Sequence, residues 1–356
     1  MKKSEVKSAN NGKYIDGVPV LKWDEWKDCT YSGAAAAALN AMGKNATYEQ
    51  IRGLSGSAYN LSMCYGWDPG SILVNTSYHY LGIDVDWNAT RAFGVDYYTL
   101  GNQDKTVYAE KVRQSIDAGV PVLALGSRDH PEWCIITGYE KNGDETTFFG
   151  RSYFDDHAPE NELYTDNRYT LANNFPGTHP EVFLRFLDRP CDPTPPKNAL
   201  RISLQTCLDM FKPNENKIGY EAYDFMIDSL NKNEYRQDNP HILLHVFGHF
   251  LDARRAASIY IKNSAELLDG ENKEKLMAVS GMFNEMHDVL SRVLPYDKVN
   301  SLAIQPPLSA EQRKEVAEAL QKMAALEKQA RAVVADILDN WEDAKPLLIP
   351  ASVEDE

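Results

Sequence analysis

Asp28-Cys29-Thr30-Tyr31-Ser32-Gly33, running into Ala34–Ala38, is the stretch of this 356-residue chain with the most chemical potential. A polar lead-in carrying Trp23 and Trp26 gives way there to an alanine-rich helix, predicted over about 30–42 and stopped by Gly43. The first turn of a helix leaves N–H groups unpaired and carries partial positive charge. A thiol at that point has its thiolate favoured and its pKa lowered, which suits a nucleophile. The plain alternative is a small buried cysteine packing a helix start, because free cysteine is among the most buried residue types. A nucleophilic thiol also needs a base and a group to orient the base. The segment Asp129-His130-Pro131-Glu132-Trp133 enters an apolar run ending Ile136-Thr137-Gly138-Tyr139. Strand periodicity puts His130 and Glu132 on one face. Cys29, His130 and Glu132 are therefore the catalytic candidates. Asp28, Tyr31, Trp67, Arg151 and Asp155 are the candidate substrate contacts, although a charge at a strand end is commonly just solvated.

A second constellation is His241, His245 and His249, four residues apart on one helix, with Asp252 following. Residues i and i+4 share a helix face, so two of these imidazoles could hold one metal ion. The residues between them are apolar (Ile242, Leu243, Leu244, Val246, Phe247) and no His-Glu-x-x-His pattern occurs. These histidines read as core or interface residues, and neither metal nor cofactor is expected.

The elements that must position Cys29 follow from pattern. Thr47-Tyr48-Glu49-Gln50 is a capping box opening a short helix to Leu54, and Trp67-Asp68-Pro69-Gly70 is a turn before a helix over 71–81. Alternation over 83–87 predicts a strand, and 106–118 an amphipathic helix. The apolar runs 120–125 and 133–139 predict central strands covered on both faces. Lys141-Asn142-Gly143-Asp144 predicts a hairpin turn into a strand over 146–154, and a further strand covers 181–187. Residues 1–13 are polar and read as frayed. Arg189-Pro190-Cys191-Asp192-Pro193-Thr194-Pro195-Pro196 reads as a linker, since four prolines in eight residues continue neither helix nor ladder. Helices are then predicted over 198–211, 219–232, 240–269, 272–294 and 309–342, the last opened by Ser309 and Gln312. The fold class is α+β: a helix packed on a mostly antiparallel sheet over 14–188, a Pro-rich linker over 189–197, and an all-α bundle over 198–345.

A net charge of −15 argues against nucleic acid or an anionic membrane as partner and suits a cationic amine. No apolar run is long enough to span a bilayer, and Met1-Lys2-Lys3-Ser4-Glu5 is not followed by the apolar stretch of a secretory signal. Five widely spaced cysteines without a Cys-x-x-Cys fit reduced thiols in a cytoplasmic protein.

Asp28-Cys29 before a small-residue helix, with the strand ending Ile136-Thr137-Gly138-Tyr139 about a hundred residues on, resembles the papain-like cysteine peptidase fold. Within it, residues 20–187 resemble the double-glycine leader peptidases and, more closely, the N-terminal domain of the butirosin biosynthesis protein H family. Gly53-Leu54-Ser55-Gly56 and, in the helical part, Leu251-Asp252-Ala253-Arg254-Arg255-Ala256-Ala257 resemble that family too. The resemblance implies a papain-like domain with Cys29 as nucleophile. It implies transfer of an acyl group from a carrier-protein thioester to an amine in specialised metabolism. A cysteine peptidase or amidase, and a degenerate domain that binds a small molecule or peptide, are the alternatives. The chain departs from the peptidases at three points: the acidic residue that orients their histidine has no firm match, Gly150-Arg151-Ser152-Tyr153 occupying that region with Asp155 a little beyond. Glu132 stands where they have the histidine, with His130 two residues upstream, and Trp23 stands where they have the glutamine that donates to the oxyanion. Acyl-carrier proteins are acidic, so docking one calls for a basic patch, for which Arg254 with Arg255, or Lys273 with Lys275, are candidates. The helical domain is expected as a lid or a homodimer interface.

Overall fold

The computed structural model describes residues 3–9, 11–23, 27–72, 86–101, 104–126, 132–143, 145–157, 169–171, 183–213 and 215–341. Its sheet has eight strands: β1 Glu5–Ala9, β2 Gly12–Asp16, β3 Val95–Gly101, β4 Val122–Leu125, β5 Trp133–Asn142, β6 Glu145–Arg151, β7 Thr170–Leu171 and β8 Phe183–Pro190. They run β1-β2-β5-β4-β8-β3, with β6 on β5 and β7 on β6, and every pairing is antiparallel. β5 is the spine. Its residues 133–136 pair with β4, 138–140 with β2, and 135–142 with β6. With partners on both edges and helix α1 (Thr30–Ala41) against it, Trp133–Tyr139 is buried throughout, which is why it reads as an apolar run and not as an alternation. The Asn142-Gly143 turn into β6 is present, with Gly143 at positive φ.

Nearly all of α1 is buried, and its alanines let the sheet and the next helix approach closely. At Gly33 no larger residue fits, since a Cβ there would lie 1.9 Å from Tyr153 Oη. α2 (Tyr48–Leu54) opens with the predicted capping box. α3 (Asp86–Arg91) and α4 (Lys105–Asp117) are the other α-helices among the described residues of this half. The second half is helical: α5 (Pro196–Asp209), α6 (Tyr220–Lys232), α7 (His249–Ser264), α8 (Gly270–Val293), α9 (Tyr296–Asn300) and α10 (Ala310–Asp339). α10, opened by the Ser309 capping box, lies along α8 and α6. Among the described residues no helix is long and apolar enough to cross a membrane.

Some expectations change. Residues 5–9 and 12–16 are paired strands, so that part of 1–13 is not frayed. Asp86 and Trp87 are helical, not extended, because the Asp86 carboxylate sits in the first turn of α3 and receives Arg185 at 2.8 Å. The rest of the strand predicted at 83–87 lies outside the described residues, as does most of the helix predicted at 71–81, of which Pro69–Ile72 forms a 3-10 turn. The helix predicted at 240–269 has a π-helical turn, Leu244–Gly248, directly before α7. The proline-rich segment is pinned, with Cys191 N–H on Gly94 O (3.2 Å) and Thr194 N–H on Arg91 O (3.0 Å).

The two halves share one buried seam. Gly53 of α2 meets Tyr260 of α7 so closely that a Cβ would fall 2.1 Å from the ring. Deeper in, Arg254 is fully buried and pairs with Glu327 (Nε to Oε2, 3.0 Å). It also donates to the carbonyls of Ala58 (3.0 Å) and Asn60 (3.1 Å), while Arg331 takes the carbonyl of Tyr59 (3.3 Å). Three consecutive buried carbonyls of the first half thus have their hydrogen bonds supplied by arginines of the second.

Candidate functional site

Cys29 is the N-cap of α1, in extended backbone and 1% exposed. Its Sγ accepts a hydrogen bond from Ser32 Oγ at 3.2 Å, one turn into the helix. Its N–H, which the helix does not use, donates to Tyr48 Oη at 2.9 Å. Tyr48 in turn donates to Asp252 Oδ2 at 2.5 Å, and Arg52 reaches the same oxygen at 3.0 Å. Arg52 is anchored further by the carbonyls of Ser57 (3.3 Å) and His249 (3.4 Å). Arg255 stands 3.8 Å from Asp252 Oδ1 and pairs with Glu49 at 3.1 Å. The capping box sets α2 so that Tyr48 and Arg52, four residues apart, share the face turned to α7.

Two carboxylates flank the same helix end. Glu132 Oε2 accepts from Thr30 Oγ1 at 2.7 Å, and Thr30 Oγ1 accepts the N–H of Trp133 at 3.3 Å, stitching the start of β5 to the start of α1. Asp28 Oδ2 is buried without a hydrogen-bond partner among the described residues and faces Gly248, where a Cβ would lie 3.0 Å away. Tyr153 caps the group, its hydroxyl 3.4 Å from Thr30 O. Trp23 packs on the Tyr153 ring at 5.1 Å.

Burial dominates the electrostatics. It raises the Cys29 thiol above its ordinary pKa, and Arg52 and the Ser32 hydrogen bonds offset that only in part. The expectation that the helix N-terminus lowers this pKa is therefore corrected: with the site closed, Cys29 is a neutral thiol. Burial, with Asp252 nearby, pushes Asp28 up to about 7. Burial also raises Asp252, against the pull of Arg52, Tyr48 and Arg255. Burial and the charge of Arg52 push His249 down to about 3, so this imidazole is neutral.

Of the residues picked from sequence, Cys29, Asp28 and Glu132 come together, and His130 lies outside the described residues. Tyr31 points into the helix–sheet core, its ring 5.2 Å from Trp133 and under Arg185. Trp67 packs in the helical half against Tyr235 and Phe247. Arg151 donates to Val18 O (3.1 Å), lies over the Tyr169 ring and faces Asp155 at 3.9 Å; Asp155 accepts the N–H of Ser152 at 2.9 Å. These four hold the scaffold. His241 and His245 stack at 6.1 Å, and among the described residues no group of three or more His, Cys, Asp or Glu could hold a metal ion. The basic docking patch is not found where it was expected. Arg254 is buried on Glu327, Arg255 pairs with Glu49, Lys273 with Glu266, and Lys275 with Glu271 and Asp336. The residues that sequence reasoning missed are Tyr48, Arg52 and Ser32. Asp252 was seen only as a neighbour of the histidines. No protein-family model matches the chain, and no curated protein matches it.

Proposed function

We propose that Cys29 is the acyl-accepting thiol of an amide-forming acyltransferase with a thioester donor and a cationic amine acceptor. One observation carries this reading: a single thiol at the start of α1, with a hydroxyl donor on its sulfur and the carboxyls of Glu132 and Asp28 at the same helix end. Cys29 adds to the thioester carbonyl, the donor's C–S bond breaks, and the departing sulfur takes the proton that Cys29 gives up. The amine nitrogen then forms a C–N bond to the same carbonyl as the bond to Cys29 Sγ breaks. An ammonium acceptor loses two protons in becoming an amide: one leaves to solvent through a carboxylate before attack, which frees the nitrogen lone pair, and the other passes to Sγ as it departs. A thiol leaving group needs little help from a general acid, so a site with carboxylates and a neutral thiol is matched to thioester chemistry better than to amide cleavage. Asp28, titrating at about 7, can exchange a proton near neutral pH. The net charge of −15 concentrates cations at the surface.

The test is intact mass spectrometry after incubation with a panel of short acyl thioesters. One acyl adduct, mapped to Cys29, discharged by added amine and absent in Cys29→Ala, is the expected result. A folded Cys29→Ala that transfers as well as the parent ends the reading. The near-complete burial of Cys29 favours a second reading, a papain-like half that binds a small molecule without turnover. It predicts no adduct with any thioester.

A further inference from the structure

We infer that Asp252, contributed by the helical half, is a positioning residue for Cys29 and acts on it through Tyr48. The inference rests on the reading of Cys29 as the acyl-accepting thiol and deepens it. The amide of the nucleophile itself ends on this carboxylate: Cys29 N–H donates to the Tyr48 hydroxyl at 2.9 Å, and that hydroxyl donates to Asp252 Oδ2 at 2.5 Å. The direction of the chain is fixed. An amide can only donate, so Tyr48 Oη must accept from Cys29; its own proton is then committed to Asp252, which can only accept when ionised. Asp252 is itself held. Arg52 binds Oδ2 at 3.0 Å with both side chains almost wholly buried, and Arg255 stands by Oδ1 at 3.8 Å. The rotamers of Asp252 and Tyr48 thus set where the Cys29 backbone lies, and that backbone aims Sγ. Six charged or titratable groups besides Asp252 face this turn among the described residues: Arg52, Arg255, Glu132, the Asp28 carboxyl, Tyr48 and Tyr153.

A grip of this kind differs from ordinary packing in what it changes. Loss of packing lowers stability and leaves the chemistry of the remaining folded molecules alone. Loss of the grip moves the sulfur, and a displacement of about 1 Å at a reacting atom costs roughly a hundredfold in rate. Asp252→Asn also removes a negative charge and leaves Arg52 beside Cys29, which favours the thiolate.

The experiment reads Cys29 alkylation by iodoacetamide against pH, by peptide mass spectrometry, together with acyl transfer at saturating thioester. Asp252→Asn is expected to move the midpoint of the alkylation profile to lower pH and to cut the transfer rate about a hundredfold with the KM for amine little changed. Tyr48→Phe, which removes one oxygen and no charge, is expected to cut transfer by a similar factor while leaving the alkylation midpoint in place. An Asp252→Asn protein with the parent's midpoint and rate overturns the inference. If Asp252→Asn does not fold, Tyr48→Phe decides, and parental transfer in that variant overturns it. If the parent transfers no acyl group, the reading of Cys29 falls by itself. The limiting alkylation rate of Tyr48→Phe, read above the midpoint, then still decides the grip, a rate equal to the parent's refuting it.

Discussion

Asp28 carries its carboxyl into a space where one buried oxygen faces Gly248 and has no hydrogen-bond partner among the described residues. The group therefore holds its proton up to about 7, against 3.8 when unperturbed. The folded state binds that proton more tightly than the unfolded chain does. Ionising Asp28 then favours unfolding, and its penalty grows as pH rises from about 4 to about 7 and is constant above. Asp28→Asn cannot ionise. Its melting temperature is expected to match the parent's near pH 4 and to exceed it by a margin that widens up to pH 7. Thermal melts across that range check this; a margin independent of pH contradicts it. His249 has the opposite sign. Its pKa is lowered from 6.5 to about 3, so the stability tied to its neutral form is present above 6.5 and is lost as pH falls toward 3.

Between elements, the contact that most constrains the site is α2 against α7, because it brings Tyr48 and Arg52 to Asp252. Gly53 is what permits it. An alanine there would drive a methyl into the Tyr260 ring, two of whose carbons would lie 2.1 Å from it. Gly53→Ala is expected to cost about 1–3 kcal/mol, the usual penalty for overpacking, in urea unfolding. A loss under half a kcal/mol would show that the seam yields. Much of this framework can be read from the chain. The Thr47 and Ser309 capping boxes are where the pattern put them, and α1 and β5 fall within a residue or so of their predicted starts. β1 escaped because Glu5-Val6-Lys7-Ser8-Ala9 is an edge strand whose polar side chains match those of a loose terminus. The partners of Cys29 escaped for a different reason. Tyr48 and Asp252 are separated by 204 residues, and no local period relates them. Tyr48 looked like a filler in a capping box and Asp252 like the tail of a histidine row. Only the packing of α2 on α7 gives either of them a relation to the thiol.

At the scale of the whole molecule, the proline-rich segment is not a hinge between independent units. Arginines of the helical half complete the hydrogen bonding of residues 58–60, and the Arg254–Glu327–Arg331 group lies in the same seam. Arg254→Met removes the donors of two buried carbonyls and leaves Glu327 with one fewer partner. The expected cost is about 3–5 kcal/mol, the usual result of removing one member of a buried ion pair. Urea titration of the full chain by two probes measures it. If the halves share one core, both probes lose stability together; separate transitions would show two independent units.

The seam also sets an order of events on the ribosome. Arg52 and Asp252 are 200 residues apart. At about 5–20 residues per second, Asp252 emerges roughly 10–40 s after Arg52. Throughout that interval the turn bearing Cys29 has no Asp252 to hold it, and residues 58–60 have no arginines on their carbonyls. The nascent first half thus waits without the carboxylate on which the Cys29–Tyr48 hydrogen bonds end. The chain Cys29–Tyr48–Asp252 closes only when α7 docks, so the site's hydrogen bonding is finished by the half of the protein made last.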